Sequence, residues 1–234
     1  MKNIDTVSIN NPGDKGLIEL YNVQKSYGAN QVLRGINFTV KDSEFIAIRG
    51  KSGAGKTTLL KIIGLLEPPD NGEVKLFGRT ANGLSDDEKS ELRLRYIGFI
   101  FQFFNLIPSL TVLENIELPL ALLGINKKER YDRASKLLEY FGLTKLAGRF
   151  PETLSGGERQ RIAVIRALAN KPRIIVADEP TSSIDDENSE LLMNFLADIN
   201  RNRKVTIVLA TTELYEKLPS NKDYILKEGH LVPP

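Results

Sequence analysis

Residues 50–58 read Gly-Lys-Ser-Gly-Ala-Gly-Lys-Thr-Thr and carry the clearest chemistry in the sequence. They fit the pattern G-x-x-x-x-G-K-[ST], and the apolar run 45–48 before them and the helix-like spacing after them supply the strand–loop–helix context of a phosphate loop. Glycines let backbone N–H groups surround an anion, and the helix N-terminus adds partial positive charge. Lys56 could then reach the terminal phosphates, and the Thr57 hydroxyl could bind Mg²⁺. A turn without a ligand is the alternative, but the complete motif favours a nucleoside triphosphate site. The candidate phosphate-binding residues are Gly50, Lys51, Ser52, Gly53, Ala54, Gly55, Lys56, Thr57 and Thr58.

Two adjacent carboxylates, Asp178 and Glu179, follow the apolar run 174–177. A run this apolar predicts a central parallel strand, and open α/β sheets bind ligands at the C-terminal ends of such strands. Asp178 could hold Mg²⁺, directly or through water, and Glu179 could orient and deprotonate an attacking water. The alternative is a pair of solvated acids, which a phosphate loop in the same chain disfavours.

Two other features could contact a nucleotide but also have ordinary structural explanations. Ser155, Gly156 and Gly157 precede a predicted helix, where unpaired N–H groups offer a second anion-binding geometry. Ser155 is equally explained as a helix N-cap. Tyr27 could stack on a nucleobase, but its position alone is typical of a half-buried strand tyrosine.

The composition narrows the class of protein. The 234 residues, 41% of them hydrophobic, suffice for one large domain or two small ones. A net charge of +2 indicates neither a nucleic-acid binder nor a polyacidic tail. The absence of cysteine excludes disulfides and fits the reducing cytoplasm, and the single histidine, His230, excludes His-rich metal sites. No apolar run approaches 18 residues, and residues 1–16 predict a loose leader without a signal-peptide core.

The order of predicted elements indicates an α/β protein whose middle third is mostly helical. Capping boxes at Ser85 and Thr111 each predict a helix start. Further helices are predicted after residue 58 and at 127–141, 156–170 and 187–200. Strands are predicted at 17–20, 32–33, 36–40, 45–48, 73–78, 97–101, 174–177 and 205–210, with a hairpin at 223–232.

Four motifs together resemble the nucleotide-binding subunit of ABC transporters. They are the phosphate loop, a strand ending in Gln102, Leu-Ser-Gly-Gly-Glu at 154–158 and Ile-Val-Ala-Asp-Glu-Pro at 175–180. Phosphate loops are widespread, but this order of motifs, with Asp178 lying 23 residues after Ser155, is specific. The resemblance covers roughly residues 17–234. It implies a phosphate-loop NTPase (RecA-like) core with an N-terminal antiparallel β subdomain and a helical subdomain inserted at about 103–170.

The resemblance also implies roles for individual residues. Tyr27 would stack on the adenine of ATP, and Gln102 would sense Mg²⁺ and the γ-phosphate. Ser155 and Gly157 would bind the γ-phosphate of an ATP held by a second copy of the chain. Asp185 would cross the dimer interface. Two subunits would then close head-to-tail over two ATP molecules with Mg²⁺, and ATP hydrolysis would reopen them.

Residues 101–108 and 114–120 look most like the branch that contains the lipoprotein-release, macrolide-export, antimicrobial-peptide-resistance and cell-division ATPases. The implied partner is an integral membrane permease with few transmembrane helices, and no nucleic acid is implied. The protein would lie in the cytoplasm, held on the inner face of the cell membrane by that permease. Phe103, Phe104 and Leu106 would form a groove for a cytoplasmic helix of the partner, with core packing as the alternative.

One position departs from the family pattern. The family usually has a histidine in a Thr-His-Asp sequence after the strand at 205–210, whereas this chain reads Thr211-Thr212-Glu213. Thr212 could donate a hydrogen bond to the γ-phosphate but carries no positive charge. The leading hypothesis is therefore a transport ATPase that is weakened at this position. The alternative is an ATP-gated switch or binding module with little turnover.

Overall fold

The computed structural model describes residues 16–213 and 217–233. Residues 1–15 of the predicted leader lie outside this part of the chain. Gly16 is already buried, and a Cβ added to it would lie 2.6 Å from the Thr39 side chain. The packed structure therefore includes the last residue of the predicted leader.

Two sheets form the framework. The first is antiparallel, with strand order β2-β1-β4-β5. The second has the order β10-β9-β3-β8-β7-β6, in which all neighbours are parallel except the antiparallel pair β9 and β10. The strands are β1 (Ile18–Tyr27), β2 (Asn30–Val40), β3 (Phe45–Arg49), β4 (Asn71–Leu76), β5 (Arg79–Thr80), β6 (Ile97–Ile100), β7 (Ile174–Asp178), β8 (Thr206–Thr211), β9 (Lys222–Lys227) and β10 (His230–Val232).

In the first sheet, the local sequence pattern did not predict the full extent of strand β2. Residues 32–33 and 36–40, predicted as two strands, form the single strand β2, because pairing with β1 continues through register shifts from Ile18 opposite Val40 to Tyr27 opposite Asn30. Such shifts add residues to one strand and interrupt the alternation of side chains that a sequence displays.

Six helices pack around the sheets in the described residues. They are α1 (Lys56–Ile63), α2 (Asp86–Tyr96), α3 (Val112–Leu122), α4 (Lys127–Tyr140), α5 (Gly156–Leu168) and α6 (Asp186–Arg203). Both predicted capping boxes are confirmed: Ser85 caps α2 and Thr111 caps α3. Short 3₁₀ turns at Thr144–Leu146 and Pro151–Thr153 lead from α4 to α5. None of the helices in residues 16–213 and 217–233 combines the length and apolar character that crossing a membrane requires.

Strand β3 separates two hydrophobic cores. Phe45 and Ala47 belong to the core shared with α3, α4, α5 and α6, whereas Ile46 and Ile48 belong to the core shared with α1 and the antiparallel sheet. A parallel strand that is covered on both faces is expected to be apolar throughout. This burial fixes the position at which β3 delivers the phosphate loop.

The helices α3, α4 and α5 all lie between β6 and β7, which are adjacent parallel strands. This arrangement agrees with a helical insertion in an α/β core. Ile100 at the end of β6 pairs with Ala177 near the end of β7. The ends of these two strands, which the helical insertion separates in the sequence, therefore lie at the same edge of the sheet.

Candidate nucleotide-binding site

The phosphate loop connects β3 to α1 at the carboxyl edge of the parallel sheet. Gly55 is the N-cap residue of α1 with φ of 102°, and a Cβ at this position would lie 2.7 Å from Val32 Cγ1. The backbone conformation and the close neighbour both require glycine. Lys51, Ser52 and Gly53 are exposed, so the loop presents its surface to a ligand.

Lys56 is buried beneath this loop, with 4% of the residue exposed. Its ammonium donates to the carbonyl of Gly50 at 2.8 Å and to that of Lys51 at 3.2 Å. It also forms an ion pair with Glu179 Oε1 at 3.2 Å. The structure therefore brings together a phosphate-loop cation and a strand-end acid that are more than a hundred residues apart in the sequence.

Asp178, the last residue of β7, lies beside Thr57 in the first turn of α1. Burial raises the pKa of Asp178; a hydrogen bond with Thr57 lowers it, and the charge of Glu179 raises it again. Asp178 Oδ1 is buried and has no hydrogen-bond partner. A buried carboxylate oxygen without a partner, next to a hydroxyl group, fits a site that a divalent cation completes.

No group of three or more His, Cys, Asp or Glu residues in residues 16–213 and 217–233 could hold a metal ion. A Mg²⁺ ion bound by the predicted residues Thr57, Gln102 and Asp178 would therefore need phosphate oxygens and waters as its remaining ligands, which is the usual way that proteins bind this ion. The donor set fits magnesium that arrives with a nucleotide.

Glu179 has an unusual backbone conformation, with φ of 45°. The left-handed region costs a non-glycine residue about 1–2 kcal/mol. Three hydrogen bonds hold this conformation. The Glu179 N–H donates to the Ala210 carbonyl at 3.0 Å, and the Ser182 hydroxyl and N–H donate to the Glu179 carbonyl at 2.9 Å and 3.2 Å. Backbone strain of this kind is concentrated at functional sites, and here it turns the carboxylate of Glu179 toward Lys56.

Gln102 and Thr212 both follow strands that end at the same edge of the sheet. Gln102 is half-buried two residues after β6, whose Ile100 pairs with Ala177. Thr212 is half-buried directly after β8, whose Ala210 pairs with Asp178. The phosphate loop reaches this edge as well, because the Gly50 N–H donates to the Thr211 carbonyl at 3.2 Å.

Ser155 is the N-cap of α5, and its hydroxyl accepts a hydrogen bond from the Glu158 N–H at 3.2 Å in a complete capping box. Asp185 is likewise the N-cap of α6 and accepts from the Asn188 N–H at 2.9 Å. A Cβ added to Gly156 would lie 3.3 Å from the Ser183 carbonyl oxygen. The contacts of these residues thus lie around the starts of α5 and α6 and do not include Lys56, Thr57, Asp178 or Glu179.

Gly157 has a packing role in the single chain. A Cβ on Gly157 would lie 2.3 Å from the Asn188 side chain, which donates to both carboxylate oxygens of Asp185. Adding a methyl group would push Asn188 away from the cap of α6.

Gly157→Ala is therefore expected to lower the free energy of unfolding by about 1–3 kcal/mol in the absence of nucleotide. Urea denaturation of the purified chain measures this change. Gly148→Ala is the matched control, because nothing lies within 4 Å of its added Cβ. Equal midpoints for both variants would show that the contact with Asn188 has no energetic importance.

A cavity of about 670 Å³ lies alongside the phosphate loop. Its walls are residues 50–54, residues 30–32 with Arg34, and residues 225–229 of the β9–β10 hairpin. The sequence interpretation missed the second and third walls. The hairpin reaches the loop only because β9 pairs with β3, which is a long-range contact without a local sequence signal.

The three residues predicted to form a partner groove are in different environments. Phe103 is 73% exposed, Leu106 packs against the helical core, and the half-buried ring of Phe104 lies 5.1 Å from the Arg159 guanidinium. The prediction of a groove made by these three was wrong, because only Phe103 is freely exposed. A cavity of about 680 Å³ lies nearby, with walls that include Phe99, Phe101, Leu118, Leu122 and Arg166.

The fold and the cluster define the class of protein. A phosphate loop after β3, a pair of acids after β7 and the strand β8 between them are the arrangement of a phosphate-loop NTPase. Residues 33–182 match the family model described as ABC transporter.

Similar proteins agree with this class. The lipoprotein-releasing system ATP-binding protein LolD of Bacteroides thetaiotaomicron is 44% identical over 195 residues, which are 83% of this chain and 89% of that protein. An uncharacterized ABC transporter ATP-binding protein of Methanocaldococcus jannaschii is 42% identical over 92% of this chain and 98% of that protein. ABC transporter H family member 2 of Dictyostelium discoideum is 41% identical over 97% of this chain, which spans only 45% of that longer protein.

A solved structure supports the same conclusion. The dimeric post-hydrolysis state of the ATP-binding cassette MJ0796, bound to ADP and Pi, has a TM-score of 0.84 at 40% identity and covers 92% of this chain and 96% of that chain. The chain therefore belongs to the ABC transporter family, as an ATP-binding subunit that hydrolyses ATP.

Proposed function

We propose that two copies of this chain close head-to-tail over two Mg²⁺–ATP molecules and that the closure drives a membrane permease. The observation that carries the proposal is the cluster of Lys56, Asp178 and Glu179 at the base of the phosphate loop. The similar cassette that was solved as a dimer with ADP and Pi supports both the dimer and the hydrolysis.

The phosphates of ATP would displace the resting contacts of Lys56. Lys56 now donates to Gly50 and Lys51 and pairs with Glu179. When the β- and γ-phosphates take this cation, the Glu179 carboxylate is released to orient a water and accept its proton. Thr57, Gln102 and Asp178 would hold Mg²⁺, which would neutralise developing negative charge on the phosphates.

The remaining assigned residues would complete the site from two directions. Gln102 and Thr212 would contact the γ-phosphate side from the same subunit. Ser155, Gly156 and Gly157 would contact it from the second subunit, where the N-terminus of α5 supplies N–H groups and positive dipole. Asp185 would cross the interface. Because ATP then touches both subunits only in the closed dimer, binding shifts the open–closed equilibrium and hydrolysis reverses the shift.

The cavity between α2, β6, α3 and α5 is the proposed docking site for a cytoplasmic segment of the permease. Its wall combines the aromatic rings of Phe99 and Phe101 with Leu118 and Leu122, and Arg166 adds a cation. This partner would place the protein on the inner face of the cell membrane, at the cytoplasmic side. The similarity to the lipoprotein-releasing system protein LolD supports the branch that the sequence resembles. The permease implied by that branch has few transmembrane helices, and a nucleic-acid partner is not proposed.

The direct test is phosphate release by the purified chain with saturating ATP, with and without Mg²⁺. We expect turnover that requires Mg²⁺. The turnover per chain should rise with protein concentration, because the active form is a dimer. Turnover per chain that does not change with dilution across the dimerisation range would contradict the head-to-tail site.

Thr212→His is expected to raise this turnover by about tenfold or more. A positioned charged donor at the γ-phosphate replaces a neutral hydroxyl, and removing one donor of a comparable kind typically costs about 10²–10³ in rate. Thr144→His, at an exposed position in the 3₁₀ turn after α4, is the control for adding an imidazole elsewhere. An unchanged rate for Thr212→His would mean that other groups already supply this stabilisation. The alternative of an ATP-gated switch with little turnover is not favoured, because the similar cassette was solved in a post-hydrolysis state.

A further inference from the structure

Tyr27, at the end of β1, has an exposed ring and a fixed hydroxyl group. The residue is 46% exposed, yet its hydroxyl donates to Glu67 Oε2 at 2.7 Å. Burial raises the pKa of Tyr27, and the hydrogen bond with Glu67 raises it further, so the hydroxyl keeps the proton that it donates. Because the hydrogen bond to Glu67 holds the Tyr27 ring at its hydroxyl end, the exposed ring keeps one orientation toward solvent.

Lys25 fixes Glu67 in turn. It is buried, with 9% of the residue exposed, and its ammonium lies 3.3 Å from Glu67 Oε1 and 2.9 Å from Asp70 Oδ1. The same ammonium donates to the Pro68 carbonyl at 3.0 Å and lies 5.7 Å from the centre of the Tyr27 ring. Removing one partner of a buried charged group is costly, so these contacts hold each other in place.

The cluster also joins two parts of the nucleotide site. Glu67 and Asp70 lie in the turn that leads from α1 to β4. The Ser26 N–H donates to Asp70 Oδ2 at 2.7 Å, and the Asp70 N–H donates to the Gln24 carbonyl at 2.9 Å. Helix α1 begins in the phosphate loop and spans only eight residues, about 12 Å. Because the turn after its C-terminus contains Glu67, the length of α1 sets the distance between the phosphate loop and the Tyr27 ring.

We propose that Glu67 and Lys25 are positioning residues that hold Tyr27 as a preorganised platform for the nucleobase of ATP. The inference rests on the proposed function, in which Tyr27 stacks on the base. A free tyrosine would lose rotamer freedom on binding, whereas a ring already fixed by Glu67 does not, and affinity rises accordingly. Neither residue need touch the nucleotide.

The test compares the Mg²⁺-dependent affinities of ATP and of inorganic tripolyphosphate, which lacks a base, by titration calorimetry. Glu67→Ala and Tyr27→Phe are each expected to weaken ATP binding by about three- to tenfold. Both should leave tripolyphosphate binding unchanged. The double variant should be no weaker than either single variant, since both remove the same hydrogen bond. Glu67→Gln, which keeps an oxygen acceptor, should recover most of the affinity.

The same strand offers a matched control. The Tyr21 hydroxyl donates to Glu19 Oε1 at 3.0 Å, and the Lys75 ammonium lies 5.0 Å from the centre of the Tyr21 ring. This arrangement repeats the hydrogen bond and the cation–ring contact of Tyr27, but its lysine pairs with Glu73 and it has no connection to α1. Tyr21→Phe and Glu19→Ala should therefore leave ATP affinity unchanged.

Five results would overturn the inference, and they are distinguishable from one another. Additive losses in the double variant, or an equal loss of tripolyphosphate binding in Glu67→Ala, would show that Glu67 acts through general stability. An unchanged ATP affinity in Tyr27→Ala would remove the base platform itself. A wild-type chain that binds tripolyphosphate and ATP equally would contradict nucleobase recognition, and one that binds neither would contradict the proposed function as a whole.

Discussion

Glu179→Gln is expected to lower the rate of ATP hydrolysis by about 10³-fold while ATP binding is retained. The glutamine has the same shape but cannot accept a proton from the attacking water, and general-base catalysis typically contributes about 10²–10⁴ in rate. In the structure the carboxylate is held at the base of the phosphate loop, 3.2 Å from Lys56 Nζ. Phosphate release at saturating Mg²⁺–ATP measures the rate.

Glu139→Gln is the control for this substitution, because Glu139 is an exposed acid on α4 in the helical insertion. It should keep the wild-type rate. Retention of more than a tenth of the wild-type rate in Glu179→Gln would mean that another group accepts the proton, and the assignment of Glu179 would then be wrong.

Lys56→Met is expected to weaken ATP binding by about 10²-fold. Truncating a buried charged partner typically costs about 2–5 kcal/mol, which is roughly 30- to several-thousand-fold in affinity. Methionine keeps much of the apolar length of lysine but cannot donate to a phosphate. Because the chain contains no tryptophan, calorimetry or a labelled nucleotide has to replace intrinsic tryptophan fluorescence in the binding assay.

The same substitution separates binding from folding. Lys56→Met leaves Glu179 without its cation, and we expect a loss of roughly 2 kcal/mol in the free energy of unfolding. This is less than the full 3–5 kcal/mol of a completely buried pair, since the Glu179 side chain is 18% exposed. Adding Glu179→Gln to Lys56→Met should recover stability but not ATP affinity. Recovery of both would show that Lys56 acts only through Glu179.

Much of the site could be predicted because its motifs are local. The phosphate loop lies between a strand and a helix, and Asp178 and Glu179 lie at the end of a buried strand, as their patterns indicate. The ordinary explanation of Ser155 was also correct for the single chain, in which its hydroxyl caps α5. The proposed contact with ATP in a second copy does not conflict with this, because backbone N–H groups of the same helix start can bind an anion.

The remaining features depend on contacts between distant residues. The ion pair between Lys56 and Glu179 requires β3 and β7 to flank β8, and the packing of Gly157 requires α6 to lie against α5. The cluster of Lys25, Tyr27 and Glu67 requires the turn after α1 to return to β1. None of these contacts has a periodic or spacing signal in the sequence. Leu106, predicted to line a surface groove, packs against the helical core, and this contact has no local signal either.

In the proposed function, ATP completes an interface between two copies of this chain. The most direct measurement is the molar mass of Glu179→Gln by light scattering after gel filtration, with Mg²⁺–ATP and with Mg²⁺–ADP in the running buffer. The proposed function predicts a mass twice that of one chain with ATP and the mass of one chain with ADP. A Glu179→Gln protein that stays monomeric at saturating ATP would contradict it.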